Sequence, residues 1–124
     1  MGANPYWYFV PYDEDAGHAF ERLRTDLIAR RSRDGAANPV WNSDAAGVTF
    51  GNLRLGDNLG FAVVAPLPAD LVAELYGTDS PDHATVLRKL DELFEYLDRG
   101  QCAYVAIYRD GVPREFLFAG YSMD

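Results

Sequence analysis

The chain predicts an α+β fold: a mainly antiparallel sheet of about five strands with two or three helices on one face, in the order β-α-loop-β-β-α-α-β-β. Three observations predict it. Aromatic segments with a period of two stand near both ends, at Tyr6–Phe9, Cys102–Tyr108 and Glu115–Tyr121. Such alternation sends successive side chains to opposite faces of a sheet. Between them lie stretches whose apolar residues recur at helical spacing, separated by short turn signals. A ferredoxin-like variant is one arrangement that this element order leaves open.

Asp13, Glu14 and Asp15 precede a periodic segment running to about Arg31, in which Ala16, Phe20, Leu23, Leu27 and Ile28 form one stripe. Acids at its start and arginines at its end complement a helix dipole. Residues 32–46 are rich in Gly, Asn, Asp, Ser and Ala, with Asn38-Pro39 as a turn signal. They read as a long loop carrying one aromatic, Trp41. Val48–Leu55 and Leu59–Val64 flank Gly56-Asp57-Asn58, which predicts a hairpin. Pro68 opens a short helix through Tyr76, closed by Gly77.

Ser80 as N-cap and Pro81 as first helical residue predict the main helix, with Val86, Leu87, Leu90, Leu93, Phe94 and Leu97 as its apolar stripe and Gly100 as its end. Asp110-Gly111 is a two-residue hairpin dipeptide. Taken as the loop, it sets Arg109 opposite Val112, Ile107 opposite Arg114, Val105 opposite Phe116 and Ala103 opposite Phe118. One face then collects Ala103, Val105, Ile107, Phe116 and Phe118, suited to the helices. Tyr104, Tyr108, Leu117, Ala119 and Tyr121 take the reverse face. Pro113, lacking an N–H, makes the last strand an edge at that point.

With 124 residues, 48% hydrophobic and 24% charged, the chain reads as one domain, 1–124, able to bury a core without staples. No stretch approaches the apolar length of a membrane span, and no secretory signal is visible. A single cysteine, Cys102, excludes an internal disulfide and fits a reducing compartment, so a cytoplasmic location is expected. The net charge of −8 disfavours nucleic-acid phosphates. Between Leu67 and Arg99, Asp70, Glu74, Asp79, Asp82, Asp91, Glu92, Glu95 and Asp98 stand against Arg88, Lys89 and Arg99. A solvated helix face explains them, and so does a surface that steers a basic partner.

No catalytic, cofactor or metal constellation is legible. His18 lies on the polar side of the first helix. His83 stands in the first turn of the main helix, beside its apolar stripe. Cys102 has no local base and reads as strand filler. The glycines at 51, 56 and 60 lack the lysine of a phosphate loop. What remains is the aromatic face: Tyr6, Tyr8, Tyr104, Tyr108 and Tyr121, with Trp41 from the loop, are good recognition material.

The opening Tyr6–Tyr12 and closing Phe118–Ser122 resemble the ends of small, uncharacterised bacterial proteins. The resemblance implies a bacterial cytoplasmic protein and carries no site. By size and acidity alone, the chain is also similar to toxin-neutralising immunity proteins.

The expected function is a non-enzymatic, acidic protein-binding module, of which an immunity-type inhibitor is one form. One alternative is a small enzyme or ligand-binding domain with a pocket between loop 32–46 and the sheet, lined by Tyr8, Trp41, His83, Tyr104 and Arg114. Another is a homodimer joined through the tyrosine face.

Overall fold

The computed structural model describes residues 5–34 and 53–122, so the expected loop from residue 35 onward, with Trp41, lies outside the described residues. The elements are β1 (Pro5–Pro11), α1 (Ala16–Asp34), β2 (Arg54–Leu55), β3 (Val63–Pro66), α2 (Ala69–Tyr76), α3 (His83–Arg88), α4 (Leu90–Phe94), β4 (Gln101–Arg109) and β5 (Val112–Tyr121). The strands form a five-stranded sheet in the order β1-β5-β4-β3-β2. β5 lies antiparallel to both β1 and β4, whereas β2, β3 and β4 run parallel. The α+β class and the five strands are as the sequence predicts; the sheet is mixed, with two of its four strand pairings parallel.

Asp15 starts α1: its carboxylate accepts the backbone N–H groups of Gly17 and His18 at 2.9 and 3.3 Å. Of the stripe that the sequence marks, Phe20, Leu23 and Leu27 are buried and Ala16 is half-buried, and Ala19, outside that stripe, is buried with them. α1 runs on through Ser32 to Asp34, so the loop begins later than its composition suggests. α2 follows Pro68 and ends on Gly77, whose φ of 75° supplies the left-handed cap.

Three local expectations are overturned. The segment around Gly56-Asp57-Asn58 is not a hairpin. β2 pairs parallel to β3, with Arg54 N–H donating to Ala62 O and Gly56 N–H to Val64 O. A turn at Gly60–Val63, with Ala62 at φ 63°, delays β3 to Val63 and leaves Leu59 and Gly60 outside the ladder.

The main helix does not start at Ser80. Pro81 is buried outside the helix, its carbonyl accepting Tyr108 N–H from β4 at 2.8 Å. Asp82 caps α3 instead, accepting Thr85 N–H at 2.8 Å. The helix also breaks at Lys89 into α3 and α4, and Leu87, expected in the apolar stripe, is 50% exposed.

The third correction moves side chains across the sheet. Asp110 and Gly111 take φ of 54° and 76°, the doubly positive pattern of a type I′ turn, and Arg109 faces Val112 as predicted. Tyr108 then faces Pro113, but Ile107 faces Glu115, so Arg114 is an extra residue in a β-bulge. A one-residue slip exchanges faces. Val105 therefore meets Leu117, and Tyr104 meets Phe118.

The bulge sorts the core into two layers. Ala103, Val105, Ile107, Leu117 and Ala119 pack with Val72, Leu75, Val86, Leu90 and Leu93 of α2–α4. Tyr6, Cys102, Phe116 and Phe118 pack with Phe20, Leu23 and Leu27 of α1 on the opposite face. α2, α3 and α4 share one face, two of them being the halves of the expected main helix. The fourth described helix, α1, covers the face that the sequence reading left open.

Candidate functional site

The tyrosines do not form one open face. Tyr6 is 1% exposed, folded over Gly120, its cross-strand neighbour, toward Cys102. Burial raises the pKa of the Tyr6 hydroxyl and, to about 12, that of the Cys102 thiol beside it. Tyr8 and Tyr104 are half-buried in the same layer under α1. Tyr104 lies 5.6 Å, centroid to centroid, from both Phe116 and Phe118, and desolvation raises its pKa, with Asp57 and Asp15 adding to the effect. Tyr121 sits on the other side of the sheet, 5.4 Å from Phe94. A helix on each face, together with the bulge, divides a set that a bare period of two had put together.

A second constellation is assembled instead at the turn end of the sheet. An open cleft of about 960 Å³ lies between the Ser80–Ala84 segment and the β4–β5 hairpin. His83 and Arg114, both named by the sequence as pocket lining, face it together with Tyr108, Arg109, Asp110 and Glu115. Tyr8 does not line this cleft, and neither does Tyr104, which borders a smaller notch of about 270 Å³ shared with Tyr108 beside Pro66 and Leu67. The cleft's outer wall is the β4–β5 hairpin.

Local geometry fixes the cleft's central group. Asp82 caps α3, so His83 emerges at the helix start, directly over β1. Its ring lies on Phe9 at 4.3 Å and 35°, and its Nδ1 is 2.9 Å from Glu115 Oε1. With a proton on Nδ1 donated to that carboxylate, Nε2 is left to accept or donate elsewhere. Glu115 reaches the histidine only because of the bulge, which pairs it with Ile107 and turns it toward α3. The sequence reading missed Glu115 and Arg109. Pro113 was the available signal: a proline inside a strand marks an edge or a bulge, and both hold here. Beyond Glu115, the partner of Pro11, one more backbone hydrogen bond joins the two segments, Tyr12 N–H to Arg114 O at 3.0 Å, and Pro113 lies past it.

Each of the eight acids between Leu67 and Arg99 is exposed. Only Glu92 makes an ion pair among the described residues, with Lys89 at 3.3 Å. Leu87 and Tyr96, 50% and 46% exposed, project from the same segment. Among the described residues no group of three metal-ligating side chains converges, and no helix is long and apolar enough to cross a membrane. Comparison with protein-family models, curated proteins and solved structures gives no match to this chain.

Proposed function

We propose that this chain is a small-ligand-binding domain whose site is the cleft between the start of α3 and the β4–β5 hairpin. The observation that carries the reading is the His83–Glu115 pair, held at 2.9 Å within an open, polar-walled depression. A few convergent polar groups in a concavity of about 300–1,000 Å³ are what a small-molecule site requires. The stack on Phe9 holds the His83 ring in place beside Glu115. A ligand-detected NMR screen of polar metabolites against the wild-type chain and His83→Ala tests the reading. Hits should lose their saturation-transfer signal in the variant. A set of hits indifferent to His83 and Glu115, or no hits at all, removes the reading.

A second reading, recognition of a basic protein partner, is favoured by the exposed acids of the helical layer around Leu87 and Tyr96. Charged rims with apolar anchors suit fast, salt-sensitive association. Neutralisation of a basic toxin is one form of it. Replacing Asp91, Glu92, Glu95 and Asp98 by their amides should slow association with such a partner and flatten its salt dependence. An unchanged salt dependence would count against this surface.

A further inference from the structure

The wall of the cleft opposite His83 carries two guanidinium groups, Arg109 and Arg114, and neither has an ion-pair partner among the described residues. The cleft's carboxylates are differently placed. Glu115 is taken up by His83, and Asp82 by the Thr85 N–H that caps α3. Asp110 belongs to the turn itself, at the exposed tip. Two unpaired cations in a concavity are unusual in a chain of net charge −8, where arginines have carboxylates to choose from.

Their placement follows from the backbone. Arg109 is the last residue of β4. Arg114 is the extra residue of the bulge, and bulges re-aim side chains beside binding sites. A regular hairpin would have set Arg114 in the ladder opposite Ile107. The observed register gives that position to Glu115, freeing Arg114 and supplying the histidine's partner in one step.

Resting on the ligand-cleft reading above, we infer that the ligand is a small oxyanion-bearing molecule, its carboxylate or phosphate held by Arg109 and Arg114 and a second polar group meeting His83 Nε2. Guanidinium forks match the geometry of both oxyanions, and such charge-assisted hydrogen bonds are stronger than neutral ones. The overall negative charge works against indiscriminate anion binding, so saturable binding at one place would require a local cationic site.

The ring resonances of the chain's two histidines give a direct test. His18, paired with Asp13 at 2.9 Å beside α1, is outside the cleft and serves as the internal reference. Inorganic phosphate, succinate and the neutral sugar glucose are titrated separately at constant ionic strength. The expected result is saturable movement of the His83 signals with phosphate or succinate while His18 stays still. The anion that acts identifies the phosphoryl or carboxylate source. Arg114→Ala and Arg109→Ala should each weaken that binding at least about tenfold, the loss expected for a charge-assisted hydrogen bond. Unchanged His18 signals report that these variants remain folded, and Arg114→Lys should restore only part of the affinity.

Parallel linear drift of both histidines with either anion overturns the proposal as an ionic-strength effect. Saturable movement with glucose alone overturns the oxyanion inference and leaves the ligand cleft standing. Silence of His83 to all three probes overturns the inference too, and the wider metabolite screen then decides the fate of the cleft.

Discussion

Replacing Gly120 by alanine should be among the most damaging single-methyl changes in this chain. The residue lies on an interior strand, facing Tyr6 on β1 and Cys102 on β4. An added Cβ would lie 2.7 Å from the Tyr6 hydroxyl oxygen and 2.9 Å from the Cys102 Cα, and would also crowd the Gln101 carbonyl oxygen. Two of those three atoms are backbone, and they cannot retreat without opening the β4–β5 ladder. Overpacking costs typically 1–3 kcal/mol, and with rigid neighbours the upper figure, about 3 kcal/mol, applies. Unfolding entropy of about 2.1 cal/mol/K per residue gives roughly 0.26 kcal/mol/K for the whole chain, so the melting temperature should fall by about 12 °C.

Thermal unfolding followed by circular dichroism, with a urea series for the free energy, measures the effect. Adding Tyr6→Phe to Gly120→Ala removes the hydroxyl contact and leaves the carbonyl contact, so less than half of the loss should return. Tyr6→Phe alone is the control, because it also removes the hydroxyl from its place beside Cys102. A fall of under about 3 °C, or full recovery in the double variant, would refute the backbone argument.

Leu93→Ala, at a side chain 1% exposed, should cost about 2–5 kcal/mol, whereas Leu87→Ala should stay within about 0.5 kcal/mol. Urea denaturation separates the two, and equal costs would contradict the helix orientation. With burial pushing its thiol up to about 12, native Cys102 should resist a thiol reagent near pH 8 and react on unfolding. Native labelling within about tenfold of the denatured rate would show an accessible sulfur. The Asp82 carboxyl is held below its ordinary range, chiefly by the Thr85 backbone N–H. A lowered folded-state pKa adds stability above the unfolded carboxyl range, near about pH 4, and that stability is lost as pH falls through the folded value. Asp82→Asn should therefore melt with a shallower acid-side slope than wild type, and identical slopes would remove the cap from the account.

The fold was legible where local chemistry decides it. The apolar stripe of α1, the Pro68 and Gly77 limits of α2, and the Asp110-Gly111 turn all stand in the structure. Errors arose where a tertiary partner overrides a local signal. Ser80-Pro81 is a good helix start in isolation, yet the Pro81 carbonyl is claimed by Tyr108, and Asp82 then has the free carboxylate to cap with. Gly56-Asp57-Asn58 suits a hairpin, but β3 takes its neighbour from β4 across the sheet and fixes the parallel sense of β2. The bulge at Arg114 carried the largest consequence for the site. One uncounted residue moved Phe116 and Phe118 to the α1 side and broke up the tyrosine set. The same residue brought Glu115 to His83. His83 and Arg114 were among the residues named from sequence; Glu115 and Arg109 were not, because their roles depend on register.

The placement of β5 between β1 and β4 bears on how the molecule assembles. In chain order β5 follows every other described element, yet it is an interior strand, flanked by β1 and β4. Joining Tyr6 to Gly120 closes a loop over nearly the full span from β1 to β5, and the entropy of that closure must be met before the contact stabilises anything. During synthesis β1 and the apolar side of α1 therefore wait without a platform until the final hairpin emerges. Refolding should be slow for a chain of this size and concerted in its last step, and deleting the hairpin should yield an aggregating chain rather than a smaller folded one.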